Sequence, residues 1–311
     1  MAWRSVPGAA GRALFPPQAI VGIKALACEI PRKLGLPFSR LSVAEVAKQA
    51  VLCGIVAAIS VATVWRYLHQ DAIRPWMHRS WLFPRDPLFA EKAARVLDLY
   101  FRVFQGIALG PDDYVISADE KTSIQARRRK LIGIGPLPHQ PRRVEFEYDR
   151  KGALAYLAAW DVHRAKLFGT CVRKTGIAAY RRLVDLVMTQ EPYRSARRVF
   201  WITDNGSSHR GKSSAKRLSQ WYPNAIQIHT PVHASWLNQV ELLFSILQRK
   251  VLTPNDFPGL KALEKAILSF QNLYNEIAKP FQWRYSKEDL KKTLLKIQDW
   301  SSDTDKQYRP A

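Results

Sequence analysis

Three acidic residues occupy sequence settings in which a carboxylate could do chemistry. Asp204 follows an apolar run, 199–202, and is itself followed by Asn205 and Gly206. A short apolar run bounded by turn formers predicts a buried strand. Open α/β sheets place their chemistry just beyond the carboxyl ends of such strands. Asp-Asn-Gly is also an ordinary turn sequence, so Asp204 alone would be weak evidence for a functional site.

Asp119 and Glu241 extend the pattern. Asp119 follows a second apolar run, 114–118, and is predicted to end a strand, whereas Glu241 falls on a predicted helix from Ser235 to Val251. The apolar residues of that helix recur at helical spacing. Asn238 and Glu241 belong to a narrow polar stripe beside them, so Glu241 is expected next to the core and not inside it.

Two acids on strand ends and one on a helix suggest a site for a hard cation. Oxygen ligands without a Cys or His cluster favour Mg²⁺ or Mn²⁺ over zinc. Two such ions could stabilise both the attacking and the leaving oxygen of a phosphodiester. Purely structural roles stay open, because Asp119 could pair with Lys121 and Glu241 with a nearby arginine.

The elements around the acids indicate a mixed sheet with helices packed on it. Predicted strands cover 142–148, 153–162, 165–172, 199–202 and 225–229, and predicted helices cover 86–104, 176–188 and 213–221. A basic tract, 127–130, follows the Asp119 strand. Its arginines Arg127, Arg128 and Arg129 are candidates for contact with an anionic partner.

Composition points to a polyanionic partner. The chain has 311 residues, with 48 Lys and Arg against 26 Asp and Glu, a net charge of +22. A balance this basic suggests nucleic acid, although a ribosomal-type structural protein or an anionic membrane surface would also fit. The most apolar stretch, 50–64, is shorter than the roughly 20 residues that a membrane span needs. We favour nucleic acid and expect no membrane partner. The three cysteines have no metal-ligand spacing and suit a reducing cytoplasm.

A pair of short helices precedes the predicted sheet. Ser42 and Glu45 form a capping-box pattern that opens the first helix, and Ser60 can cap a second, 61–69. Such a pair predicts a helix-turn-helix, although small helical hairpins are common. Thr63, Arg66 and Tyr67 are placed on the polar outer face of the second helix and are predicted to contact DNA.

The motifs around the three acids resemble a known family. SADEKT around Asp119, DNGSSHRG from Asp204 and HASWLNQVELLFSILQRKVL around Glu241 are similar to motifs of bacterial insertion-sequence transposases of the Tc/mariner superfamily. The 36 residues between Asp204 and Glu241 are close to the short spacing of that superfamily. The resemblance runs from about residue 41 to the C-terminus.

The resemblance implies a DDE endonuclease with a ribonuclease H-like α/β core. Asp119, Asp204 and Glu241 would hold two Mg²⁺ ions, with Mn²⁺ as a substitute, for DNA cleavage at element ends and strand transfer into target DNA. Four neighbouring residues would have supporting roles: Glu120, Asn205, His209 and Asn238. His209 is expected to orient a carboxylate or phosphate rather than act as a general base. The implied partners are double-stranded terminal inverted repeats, target DNA and a second copy of the chain.

We therefore predict four regions: a poorly defined segment (1–38), a helix-turn-helix module (39–75), a linker and helix (76–110) and a ribonuclease H-like catalytic domain with C-terminal helices (111–311). The relatives usually carry two N-terminal helix-turn-helix units, and only the second is evident here. The expected location is the bacterial cytoplasm, associated with the nucleoid. The alternative is a non-catalytic DNA-binding remnant or repressor, and a nuclease that never joins strands is a further rival.

Overall fold

The computed structural model describes residues 15–77, 84–131, 133–206, 209 and 211–307. The chain divides into two compact units, Met1–Leu82 and Phe83–Ala311. The predicted poorly defined segment and linker lie partly at 1–14 and 78–83, outside the described residues. No described helix combines the length and the apolar character needed to cross a membrane.

The first unit is a cluster of three helices around one core. The helices are α1 (Pro17–Ala27), α2 (Val43–Leu52) and α3 (Val61–Gln70), with a 3₁₀ turn at Pro31–Leu34 after α1. The core includes Ile23, Val46, Ala50, Val64 and Leu68. Residues 15–38 therefore contribute a helix to the same core as the predicted two-helix module.

Local side-chain hydrogen bonds define where α2 and α3 begin. Ser42 Oγ accepts a hydrogen bond from the backbone of Glu45, and the Glu45 carboxylate accepts one from the backbone of Ser42. This is the predicted capping box. Ser60 Oγ accepts from Thr63 N at 3.1 Å, so the predicted cap of α3 is also present.

The predicted faces of α3 are wrong. Thr63 and Tyr67, expected on the outer face, are only 6% and 9% exposed, whereas the apolar Trp65 of the same helix is 48% exposed. Arg66 is exposed as predicted. The physical reason is that Thr and Tyr carry enough apolar surface to be buried, so a ten-residue amphipathic helix fits two registers that differ by about one position.

The second unit is built on a five-stranded mixed sheet between helices. The strands of the sheet are β3 (Asp113–Arg129), β4 (Tyr148–Asp161), β5 (Lys166–Val172), β6 (Arg198–Thr203) and β7 (Ala225–His229), after a small hairpin of β1 (Val103–Phe104) and β2 (Ile107–Ala108). The helices are α4 (Phe89–Tyr100), α5 (Ile177–Met188), α6 (Gly211–Trp221), α7 (Val240–Lys250), α8 (Leu260–Ile277) and α9 (Lys287–Gln307). The sheet order is β5-β4-β3-β6-β7.

The sheet changes from antiparallel to parallel pairing at its centre. β3 pairs antiparallel with β4, and β4 with β5, whereas β6 is parallel to both β3 and β7. One face packs on residues of α4, α7, α8 and α9, and the other packs on α5 and α6. Alternate side chains of the central strands are therefore buried on both faces, which explains their unbroken apolar runs.

Several predicted boundaries in this unit are wrong. β3 does not end at Asp119 but continues to Arg129, paired with β4 and interrupted by a register shift between Lys121 and Ile124. Residues 142–147 are not a strand; the sheet partner of β3 begins at Tyr148. The outer half of β3 is mostly polar, and only Ile124 and Ala126 in it are buried, so it lacks the continuous apolar run from which the inner half was predicted.

Two helices also begin or end differently from the prediction. α4 ends at Tyr100 and not near Phe104, because the chain turns into the β1–β2 hairpin. Ser235 begins a 3₁₀ turn, Ser235–Leu237, and α7 itself starts at Val240. Asn238 consequently lies in the connection and is fully buried, not on a polar helix stripe.

Candidate active site

Strand register brings two of the predicted acids together. β3 and β6 run parallel with Ser117 opposite Ile202, so Asp119 lies beside the position just after the end of β6, where Asp204 stands. Oxygens of Asp119 and Asp204 and a ring nitrogen of His209 lie within 4.8 Å of one another. The site is therefore fixed by the centre of the sheet.

Asp204 is oriented by the loop that follows β6. Its Oδ1 accepts a hydrogen bond from Gly206 N at 2.7 Å and a second, short one from His209 Nε2. His209 is itself buried, and its backbone carbonyl accepts from His229 Nε2 at 2.6 Å and from Gln227 Nε2 at 3.1 Å. Two β7 residues thus hold the turn that presents His209 to Asp204.

Asp119 is oriented from the connection before α7. Its Oδ1 accepts from Glu120 N at 2.7 Å, and its Oδ2 faces Asn238 Nδ2 at 3.3 Å. Asn238 also donates to Ala118 O at 2.9 Å and accepts a short hydrogen bond from the Ser117 hydroxyl. This buried network links the third predicted motif to the first.

The three carboxylates of the site repel one another. Burial, together with the negative charges of Asp204 and Glu241, raises the pKa of Asp119 to about 7. Burial also acts to raise the pKa of Asp204, but the hydrogen bonds from His209 and Gly206 outweigh it and hold that pKa below its usual value. The pKa of His209 is raised, because the bond to Asp204 outweighs the effect of its burial. A cation placed here would be attracted to all of these carboxylates.

Glu241 lies at the edge of the site. It is on the first turn of α7, lies outside the core as predicted, and is not part of the close cluster formed by Asp119, Asp204 and His209. Burial and the charge of Asp204 raise its pKa, and the charge of Lys121 opposes that rise. Glu241 is therefore within electrostatic reach of the cluster without sharing its closest contacts.

A cavity of about 530 Å³ opens beside Asp204. It is lined by Asp204, Asn205 and Gly206 from the β6 loop and by the segment 230–235 after β7. Asn205, a predicted supporting residue, donates through Nδ2 to Thr230 O at 2.8 Å and so ties the two walls together. This is a pocket of the size that accepts small ligands or a nucleotide.

The predicted basic tract divides into different surroundings. Arg127 stacks over the Tyr148 ring, and Arg129 donates to the carbonyls of Asn255 at 3.0 Å and Glu145 at 2.7 Å. Arg128 is exposed on the opposite side of the strand. Arg127 and Arg129 therefore have structural contacts besides any role in binding DNA.

Sequence reasoning did not single out Ser117, Gln227 or His229. Ser117 Oγ accepts from Val240 N at 2.9 Å, and the other two hold the carbonyl of His209. Ser117 lies two residues before Asp119, so it faces the same side of β3. The alternation of side chains along a strand could have pointed to Ser117. Gln227 and His229 approach the site only because β7 pairs with β6, and the sequence contains no local signal for that pairing.

Residues 115–264 match the family model described as DDE superfamily endonuclease. All three predicted acids and the site cavity lie inside that segment. No curated protein sequence matches the chain.

Solved structures of the mariner Mos1 transposase share the fold. A crystal structure of its paired-end complex with Mg has a TM-score of 0.57 and 15% identity over 95% of this chain and 83% of that one. The complex with the left transposon end has a TM-score of 0.55 and 16% identity, covering 88% of this chain and 77% of that one. The paired-end complex with Mn has a TM-score of 0.53 and 14% identity, covering 90% of this chain and 77% of that one. The predicted ribonuclease H-like mixed sheet with flanking helices is thereby confirmed.

Proposed function

We propose that this protein is a DDE transposase that cleaves DNA at the ends of a mobile element and joins the freed ends to target DNA. The observation that carries the proposal is the convergence of Asp119, Asp204 and His209 at the centre of the sheet, inside the segment that matches a DDE endonuclease. The Mos1 structures with a similar fold are complexes with transposon ends. The net charge of +22 suits a DNA substrate.

The donor set suits divalent metal ions with a preference for oxygen. Asp119, Asp204 and Glu241 would hold two Mg²⁺ or Mn²⁺ ions, because carboxylates that repel one another at a sheet end are stabilised by cations. Bound ions would supply charge stabilisation at the attacking and leaving oxygens of a phosphodiester. His209 Nε2 is already directed at Asp204, so His209 fits a positioning role better than that of a ligand.

The protein's own groups would set the geometry of the reaction. Gly206 N and His209 fix the Asp204 carboxylate, and Glu120 N and Asn238 fix that of Asp119. In cleavage, a water oxygen bonds to phosphorus while the P–O3′ bond breaks, leaving a 5′-phosphate and a free 3′-hydroxyl. In joining, that hydroxyl attacks a target phosphodiester in the same way. Both steps need in-line positioning of the two oxygens.

Binding of the element ends is assigned to the helical unit. The exposed surface of α3 carries Arg66 together with Trp65 and His69, whose rings stack at 4.8 Å. A basic and aromatic helix face suits a helix-turn-helix that enters the major groove. Arg128 offers a further cation on the catalytic unit. We extend the proposal to a bacterial insertion-sequence element of the Tc/mariner superfamily, a homodimer on paired ends and a cytoplasmic location.

The test is cleavage and joining of labelled duplexes that carry the flanking inverted repeats, with Mg²⁺ present. Wild type is expected to cut and to produce joined strands, and Asp204→Asn is expected to do neither. Asp112→Asn is the matched control, because Asp112 is an exposed residue near the start of β3. Tight binding without cleavage by wild type would overturn the enzyme proposal and favour a DNA-binding remnant. Cleavage without joined products would indicate a nuclease.

A further inference from the structure

A second cavity, of about 600 Å³, runs along the outer half of β3, next to the acidic site. Its walls are the residues of β3 around the register shift, the segment 144–146 and the segment 252–255 after α7. Among its ionisable lining residues are three cations, Lys121, Arg127 and Arg129, and one carboxylate, Glu145. The other polar lining residues are Thr122, Ser123, Gln125, Gln248, Thr253 and Asn255. We call this cavity the β3 groove.

The β3 groove begins where the acidic site ends. Lys121 follows Asp119 by two residues, about 7 Å along an extended strand. The positive charge of Lys121 acts on Glu241, so the mouth of the groove is within electrostatic reach of the acids. A DNA strand that leaves the acidic site in this direction would enter a basic groove rich in hydrogen-bonding groups.

An exposed aromatic ring forms part of the wall. Phe146 is 88% exposed, the highest value among the large apolar residues of the described chain that are exposed. Its backbone is held in place, because Arg129 Nη1 donates to Phe146 O at 3.1 Å and to Glu145 O at 2.7 Å. Arg129 also lies over the Tyr148 ring at 5.2 Å. A single exposed apolar side chain is ordinary on a protein surface, but Phe146 stands on an anchored segment and lines a cavity whose other lining residues are mostly polar or basic.

We propose that the β3 groove binds a single DNA strand next to the scissile phosphodiester and that Phe146 stacks on one of its bases. Cationic side chains that follow a backbone, combined with an aromatic platform, are the features that bind single strands irrespective of sequence. The excess of positive charge in the groove favours a polyanion over a second copy of this strongly basic chain. The inference rests on the proposed function, because it concerns the path of the substrate through the same site.

Binding can be measured separately from cleavage by omitting divalent ions. The probe is a short oligothymidine that carries one 2-aminopurine, whose fluorescence is quenched when the base stacks on an aromatic ring. Phe146→Ala is expected to weaken binding by about 5- to 100-fold and to abolish the quenching attributable to the protein. Phe146→Tyr is expected to retain both, whereas Phe146→Leu, which keeps an apolar side chain without a ring, is expected to lose the quenching.

Phe101→Ala is the matched control. Phe101 is another exposed phenylalanine of the same unit, at the end of α4 and outside the groove. It is expected to bind the oligonucleotide as wild type does. Because Phe146 is 88% and Phe101 49% exposed, neither substitution is expected to impair folding, and thermal unfolding checks this.

The outcomes separate this inference from the proposed function. Loss of quenching in Phe146→Ala supports the groove even if wild type cuts no DNA in Mg²⁺. Unchanged affinity and quenching in Phe146→Ala overturn it even if the protein is an active transposase. If Phe146→Ala instead converts a dimer to a monomer in light scattering while quenching is unchanged, the groove is an interface between copies and the inference is also overturned.

Discussion

The orientation of the Asp204 carboxylate depends on the absence of a side chain two residues later. A Cβ built on Gly206 would lie 2.8 Å from His209 Nε2 and 2.9 Å from Asp204 Oδ1. Contacts this short cannot be accommodated without moving one of the two partners. Gly206 is therefore needed for a close approach of backbone and side chains, and not only for a turn.

We expect Gly206→Ala to weaken Mg²⁺ binding by about 10- to 100-fold, the usual cost of disturbing a group that orients a metal ligand. The added methyl would separate His209 from Asp204, which removes the hydrogen bond that keeps the carboxylate ionised and fixed. Isothermal titration with Mg²⁺ measures the effect. Gly259→Ala is the matched control, because a Cβ at Gly259 meets no atom within 4 Å. Equal Mg²⁺ affinities for the two variants would contradict this role of Gly206.

Between elements, β3 and β6 are clamped at the end of the sheet that lies away from the acids. The fully buried side chain of Asp113, at the start of β3, accepts hydrogen bonds from Arg197 and Arg198, with Arg198 Nη2 at 2.8 Å. Gly110 N donates to the same carboxylate at 2.9 Å. The bond from Arg198, aided by Arg197, holds the pKa of Asp113 well below its usual range despite burial.

This clamp makes stability depend on pH in a defined direction. A carboxyl whose pKa is depressed by folding stabilises the native state above its unfolded pKa, about 3.9, and that stability is lost as pH falls through the folded value. We expect Asp113→Asn to lower the free energy of unfolding by about 2 kcal/mol at neutral pH. The difference from wild type should shrink as pH falls below about 4. Urea unfolding at several pH values measures it, with Asp112→Asn as the control, and a difference that persists in acid would be inconsistent with the clamp.

Apolar patterning was enough to predict most of the sheet and its helices. The core of β6 and the strand positions of β5 and β7 follow from short apolar runs, and α5 follows from its apolar stripe. Asp204 could be predicted as a site residue in the same way, because it follows the apolar run 199–202 of β6. Asp119 was found for the same reason, although its strand continues past it.

Pairing and face assignments could not be predicted from one sequence. The outer half of β3 is a strand because β4 pairs with it, and no local pattern in its basic tract predicts that pairing. The position of Glu241 at the edge of the cluster depends on where α7 starts, which the 3₁₀ turn before it shifts by several residues. Thr63 and Tyr67 were assigned to the wrong face because their side chains are both polar and apolar.

For the whole molecule, the chain divides into two units, and under the proposed function the helical unit would recognise DNA while the sheet unit would carry out the chemistry. Among the residues that the structure describes, the core of the three helices shares none with the two cores on either face of the sheet. The positive charge of the chain would act over both units when DNA is bound, and such binding is expected to weaken steeply as salt concentration rises. We expect each unit, by contrast, to owe its stability to its own core.

Tyr67 allows this separation to be tested. Its ring is buried in the core of the three helices, against Phe15 at 6.4 Å between ring centroids. Tyr67→Ala is expected to cost the helical unit about 3 kcal/mol, as for other buried aromatic residues. Scanning calorimetry should show a lowered transition for that unit and an unchanged transition for the sheet. Trp65→Ala, at an exposed position of the same helix, should leave both transitions in place while weakening binding to the terminal repeats. If Tyr67→Ala lowered both transitions equally, the two units would be a single cooperative structure, and DNA recognition could not be altered independently of the fold of the catalytic sheet.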